Sequence, residues 1–128
     1  MKKRKLKGKE KAAASKALVV AVSIDANGAV QVYPDCLPVT ERNQRIRWRL
    51  DPESSKKWRL VGLCWCGDDQ PPTDEFRYWL KEKDRISVTD RNETAGEWRY
   101  GLLYRDKKEK NSAPPRVFDP AIRNQPPQ

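Results

Sequence analysis

Histidine occurs nowhere in these 128 residues. Its absence removes Ser-His and Cys-His nucleophile pairs and histidine general-base catalysis. Cysteine is scarce as well: there are three, an odd number. The lysine-rich start lacks the apolar stretch of a secretory signal, so free thiols in the cytoplasm are expected rather than a disulfide framework. No apolar run approaches the roughly 18 residues that a membrane span needs. Nor does any segment carry a helical apolar stripe of useful length.

What remains fits one domain with an ordinary core. Hydrophobic residues make up 37% and charged residues 35% of the chain, with five tryptophans and four tyrosines. The net charge of +9 is unevenly placed: residues 1–16 hold eight Lys or Arg against Glu10, and the rest holds 19 basic against 17 acidic residues. Residues 1–16 therefore read as a disordered basic arm and residues 17–106 as the folded domain. After it, residues 107–128 carry charges, serine and half of the ten prolines. That composition predicts a loop and an extended tail, with Asp119-Pro120 packed on the domain.

Between the ends the apolar period is two, the mark of half-buried strands. Leu18 to Ile24 is followed by a hairpin-type "DANG" turn and by Ala29 to Tyr33. In "RIRWRL", Ile46, Trp48 and Leu50 share one face and Arg45, Arg47 and Arg49 the other. "WRLVGLCWC" at 58–66 reads as a longer strand, "RISV" at 85–88 alternates again, and "EWRYGLLYR" puts Trp98, Tyr100, Leu102 and Tyr104 on one side. "FRYWL" at 76–80 suits either a strand or a turn of helix. Turn signals recur about every ten residues, which predicts a Greek-key β-sandwich of about seven strands.

"VYPDCLPVTERNQRIRWRL" and "AGEWRYGLL" resemble segments of the immunoglobulin-like and cupredoxin-like sandwiches. More narrowly, the first hairpin with "YPD", "IRW", "VTDRN" and the closing "DPAIRN" resembles the small bacterial proteins of the DP-EP family. The likeness covers residues 17–124 and implies a fold but no activity. One departure from cupredoxins is decisive. Type 1 copper needs two imidazoles and a thiolate, and this chain has no histidine, with Leu102 where the copper cysteine would stand.

The remaining chemical candidates are few. In "CWC", Cys64 and Cys66 project to one face of a strand, and Cys36 becomes a third thiolate if its segment lies alongside. Three thiols without histidine do not complete a structural zinc site unless Asp68 or Asp69 fills in, so small buried strand residues are the expected role and no metal or cofactor is expected. Asp68 and Asp69 lie in "GDDQPPTDE", the composition of a loop, which argues against carboxylate catalysis. Lys2, Lys3, Arg4, Lys5 and Lys7 can neutralise phosphates without reading sequence. Arg45, Arg47 and Arg49, joined by Arg59 and Arg99 if those strands are neighbours, form either a basic stripe or an ordinary solvated face. Trp48, Trp58, Trp65, Trp98 and Tyr100 suit the core, whereas Tyr78 and Trp79 cannot both be hidden. The expected function is a non-enzymatic binding module that meets a protein partner through a sheet edge or face, with weak self-association if an edge is open. The alternative is sequence-independent nucleic-acid binding through the arm and the arginine face.

Overall fold

The computed structural model describes residues 16–110 and 114–127. The arm residues Lys2, Lys3, Arg4, Lys5 and Lys7 lie outside them. Among the described residues the chain forms ten strands and a single 3-10 turn, Ser54–Lys56. One sheet contains β1 (Leu18–Ile24), β2 (Val30–Tyr33), β4 (Gln44–Leu50), β6 (Phe76–Glu82) and β7 (Arg85–Asp90), in the order β2-β1-β4-β7-β6. The other contains β3 (Cys36–Val39), β5 (Trp58–Trp65), β8 (Gly96–Asp106) and β10 (Ala121–Asn124), in the order β3-β10-β8-β5, with β9 (Arg116–Phe118) also on β8.

The all-β sandwich is as the periodicity predicts, but two details differ. There are ten strands rather than about seven, and both sheets are mixed, because β1 runs parallel to β4 and β3 parallel to β10. Neither parallel pair is local, so no turn signal announces it. Residues 107–128, expected as loop and tail, supply β9 and β10. Phe118 faces Leu102 and Ala121 faces Arg99, one uninterrupted antiparallel register that passes through Asp119 and Pro120. Pro120 has no N–H to donate, yet its carbonyl accepts from Tyr100 N at 3.0 Å, so the ladder is thinned there and not shifted. Pieces of three and four residues around a proline are too short for alternation to reveal. "FRYWL" is strand.

The inward faces follow the period-two pattern. Ile46, Trp48 and Leu50 meet Trp98, Tyr100, Leu102 and Tyr104 in one core with Val20, Val22 and Ile122. Trp48 Nε1 donates to Tyr100 Oη at 2.8 Å between the two sheets, with the rings edge-on at 5.4 Å. This contact satisfies two polar atoms that are otherwise costly to bury. At the first hairpin, Gly28 takes φ +89, and Asp25 Oδ1 accepts from the Asn27 and Ala29 N–H groups to hold the turn.

Replacing Tyr100 with Phe keeps the ring and removes the acceptor, which leaves Trp48 Nε1 buried and unpaired. The expected loss in urea unfolding is about 1–3 kcal/mol. An unchanged midpoint would show that the cross-sheet hydrogen bond contributes nothing to stability.

Candidate functional site

Strand register decides which polar residues share a face. On the solvent side of the first sheet, the cross-strand pairs place Arg45 beside Thr89 and Thr89 beside Arg77. In the next row Leu80 faces Ser87, Ser87 faces Arg47, and Arg47 faces Val19. The third row runs Glu82, Arg85, Arg49, Ala21, Tyr33. Strand positions on this face therefore carry five arginines and a single carboxylate, Glu82. Four strand spacings of about 4.8 Å make the third row roughly 19 Å wide.

The charge on this face is not evenly compensated. Arg85 is held by Glu82 at 2.6 Å, whereas the ion pairs among the described residues leave out Arg45, Arg47, Arg49 and Arg77. The Nε of half-buried Arg47 has no hydrogen-bond partner. At one end, a hollow of about 520 Å³ has Asp51, Glu82 and Asp84 to balance Arg49, Lys83 and Arg85. Toward the other end, a groove of about 340 Å³ is lined by Arg45, Arg47, Tyr78, Leu80, Ser87 and Thr89, with Glu82 and Arg85 at its border with the first hollow. Glu82 is taken up by Arg85 there, so Arg45 and Arg47 are the cations left without an acid in that second groove.

Its aromatic wall comes from an irregular edge strand. β6 pairs only with β7, and the ladder slips between Arg77 and Leu80, where Tyr78 takes φ +61. Left-handed backbone is uncommon for a bulky residue and costs about 1–3 kcal/mol. The bulge turns Tyr78 and Trp79 outward, leaving them 74% and 47% exposed. Trp79 is backed by Trp65 at 6.4 Å between ring centroids, and Trp65 packs on Phe76 at 4.7 Å. A supported bulge of this kind holds the Tyr78 ring beside the arginines.

Arg45, Arg47 and Arg49 are thus brought together, as the alternation of "RIRWRL" predicts. Arg59 and Arg99 are not part of the stripe, because β5 and β8 belong to the other sheet. Sequence patterning did not reach Arg77 or Arg85 as members of the face. Arg85 opens "RISV" itself, but its place on this face follows from the pairing of β7 with β4, which local alternation does not show. Arg77 was hidden by the helix or strand ambiguity of "FRYWL".

The three thiols do not converge. Cys64 and Cys66 are exposed on β5 and just beyond it, with Cys64 Sγ over Gly101, while Leu63 and Trp65 turn inward. Cys36 faces Ala121, Ala121 faces Arg99, and the Arg99 carbonyl accepts from Cys66 N. Three strand spacings, about 14 Å, therefore separate Cys36 from Cys66. The condition for a third thiolate, Cys36 alongside the pair, is not met, and the expectation that Cys64 and Cys66 are buried is corrected, since both are exposed. Burial and then the nearby Asp119 carboxylate push the Cys66 thiol up, and burial and then Glu97 do the same to Cys36, so neither is an activated thiolate. Among the described residues no group of three or more His, Cys, Asp or Glu is placed to hold a metal ion.

A second polar cluster has no local sequence signature, although Asp90 and Asn92 lie in "VTDRN" and Asn124 in "DPAIRN"; Glu75 lies in neither. Glu75, Asp90, Asn92 and Asn124 are all buried. Glu75 Oε2 accepts from the N–H groups of Glu93 and Thr94 and from Asn124 Nδ2. Asn92 Nδ2 donates to the carbonyls of Val39, Glu41 and Gln125, and Asp90 Oδ1 accepts from Asn92 N. Asp90 Oδ2, Asn92 Oδ1 and Asn124 Oδ1 have no hydrogen-bond partner. Burial drives the Asp90 carboxyl up to about 7, and Glu75 adds to it, against hydrogen bonds from Asn92 and Asn124.

No protein-family model matches the chain, and no curated protein does. Among solved structures, it is similar to the cysteine protease inhibitor EhICP2 from Entamoeba histolytica, at TM-score 0.43 and 16% identity over 85% of this chain and 97% of that one. It is also similar to amebosin, at TM-score 0.37 and 14% identity over 88% of this chain and all of that one. Likenesses this distant carry no functional argument.

The raised Asp90 carboxyl fixes a sign for pH dependence. A folded value above the unfolded one means that the folded state binds this proton more tightly. The group's contribution is therefore complete below about pH 4 and is lost as pH rises through about 7. Asp90→Asn keeps the shape without the titration. The variant is expected to lose this falling slope between pH 4 and 8 and to exceed the parent at pH 8, by on the order of 2–4 kcal/mol at most. Equal slopes in urea unfolding across that range would overturn the assignment.

Proposed function

We propose that this chain is a non-enzymatic binding module whose contact surface is the arginine-bearing face of the β2-β1-β4-β7-β6 sheet, and that its partner is an anionic macromolecule. One observation carries this reading: Arg45 and Arg47, alternate residues of β4, and Arg77 across Thr89 form no ion pair among the described residues, whereas the directly opposed Arg49 and Arg85 have Glu82 on Arg85. Like charges paired across strands destabilise a sheet. An ordinary solvated face alternates signs across its strands instead. An external anion would relieve the repulsion on binding, and the field of the cluster would speed its encounter.

The mechanism is association through a preformed surface. Arginine forks suit carboxylates, phosphates and sulfates alike, because each presents paired oxygens to parallel N–H donors. Rigid strands hold three of the five guanidinium stems at alternate positions of one element, β4. Little ordering cost then remains on the protein side.

Heparin serves as a generic polyanion for a first test on the full chain. Arg45→Glu combined with Arg47→Glu is expected to weaken binding about tenfold or more at 0.1 M salt, since two phosphate-like contacts are lost. The matched control is Lys56→Glu combined with Lys108→Glu, which changes the net charge equally at two exposed positions away from the face. Equal losses in both double variants would mean that overall charge and not this face does the binding.

A further inference from the structure

We propose, resting on the reading of this face as an anion-binding surface, that its occupant is single-stranded nucleic acid, with phosphates along Arg45, Arg47 and Arg77 and an unpaired base stacked on Tyr78. An acidic peptide would be satisfied by the guanidinium groups alone. The groove offers more than that. The Tyr78 ring is 74% exposed, held by a left-handed backbone in the wall that faces Arg45 and Arg47, with Leu80 beside it. Every base has a π face, so an open ring next to cations binds single strands without demanding a sequence.

The geometry of the row supports the assignment. Arg45 and Arg47 occupy alternate positions of β4, about 6.7 Å apart along the strand, and Arg77 lies two strands away across Thr89. Ser87 and Thr89 set hydroxyl donors between the cations, the groups that usually accompany arginine on phosphate and sugar oxygens. Stacking on Tyr78 needs a base that is not already in a helix, which selects single strands over duplex. A second exposed tyrosine, Tyr33, 79% accessible, ends the third row at the opposite margin and gives a longer strand another ring.

The start of the described chain adds to this end of the face. Gln44 Nε2 donates to the Lys16 carbonyl at 3.0 Å, which fixes Lys16 at this end of β4; the segment before it, residues 1–15, lies outside the described residues and holds seven Lys or Arg. Its charge is sequence-blind and contains no aromatic residue. Base stacking therefore belongs to the sheet, and a loss of stacking reports on the sheet alone.

The test is fluorescence anisotropy of a fluorescein-labelled oligothymidylate of about 12 nucleotides, a length within the range of known single-strand sites. The full chain is titrated across a salt series, with poly-glutamate and a matched DNA duplex as competitors. Tyr78→Ala is expected to weaken binding about tenfold with an unchanged salt slope, while Tyr78→Phe, which keeps the ring, retains the parent affinity. Arg45→Glu with Arg47→Glu is expected to lower the slope of log affinity against log salt by about 1.4. Binding indifferent to Tyr78→Ala, or a duplex that competes as well as the labelled strand, overturns the proposal. Poly-glutamate bound through Arg45 and Arg47 alongside that indifference leaves the anion-binding surface standing and removes nucleic acid as its partner. No binding of either polyanion through those arginines sinks both readings.

Discussion

The Asn92 side chain fastens three separate stretches of backbone with one amide. Its Nδ2 donates to carbonyls at Val39, Glu41 and Gln125, which are the end of β3, the loop before β4 and the residue after β10. Its own left-handed backbone, φ 52, is one that asparagine tolerates better than most residues. Glu75 performs the same service for the turn after Asn92 and for Asn124. Carbonyls left unpaired at this end would each carry a desolvation cost, so the two sheets are joined there by polar contacts where side-chain packing alone would not suffice. The node includes Asp90, the last residue of β7, which pairs with Gln44 and Phe76 at the starts of β4 and β6. Fixing that one position fixes the register of all three arginine-bearing strands.

Register in turn decides whether the arginines form a surface at all. A slip of one residue would turn Arg45, Arg47 and Arg49 into the core and Ile46, Trp48 and Leu50 into water, an exchange no sandwich of this size survives. The Trp48 to Tyr100 hydrogen bond locks the same register from inside, because the indole has its acceptor only in this alignment. The interior and the basic face are thus two sides of one constraint. Strict alternation of large apolar residues with arginine makes the strand informative in both directions.

That is why this part of the molecule was legible from residues alone. "RIRWRL" and "EWRYGLLYR" alternate without a break, and their inward sides are buried as the pattern requires. In β5 the same period sets Leu63 and Trp65 on one side and Cys64 and Cys66 on the other, but with apolar residue types on both sides it does not say which side is buried. The illegible parts were those where backbone departs from period two or where pairing is remote. β6 carries a bulge at Tyr78, so three successive apolar residues meet solvent and mimic a helical turn. β9 and β10 are short and split by Pro120, and their register with β8 is visible only in three dimensions. The polar node draws on Glu75, Asp90, Asn92 and Asn124, residues up to 49 positions apart, so no local spacing marks them as a unit.

The bulge that obscured β6 also protects it. An edge strand with regular geometry presents a free ladder to any other strand, and this one is adjacent in space to β5, the edge of the second sheet. Left-handed Tyr78 breaks the repeat, so a second chain cannot pair along the whole edge, and the local cost of about 1–3 kcal/mol offsets a risk of aggregation. The same distortion swings the tyrosine ring into the groove that holds Arg45 and Arg47. A charge or a proline would have guarded the edge equally well without exposing an aromatic ring. Protection of the edge accounts for the bulge, but it does not account for tyrosine at its crest; the ligand proposed for this face, with a flat apolar surface and negative charge, would account for both the ring and the unpaired arginines beside it.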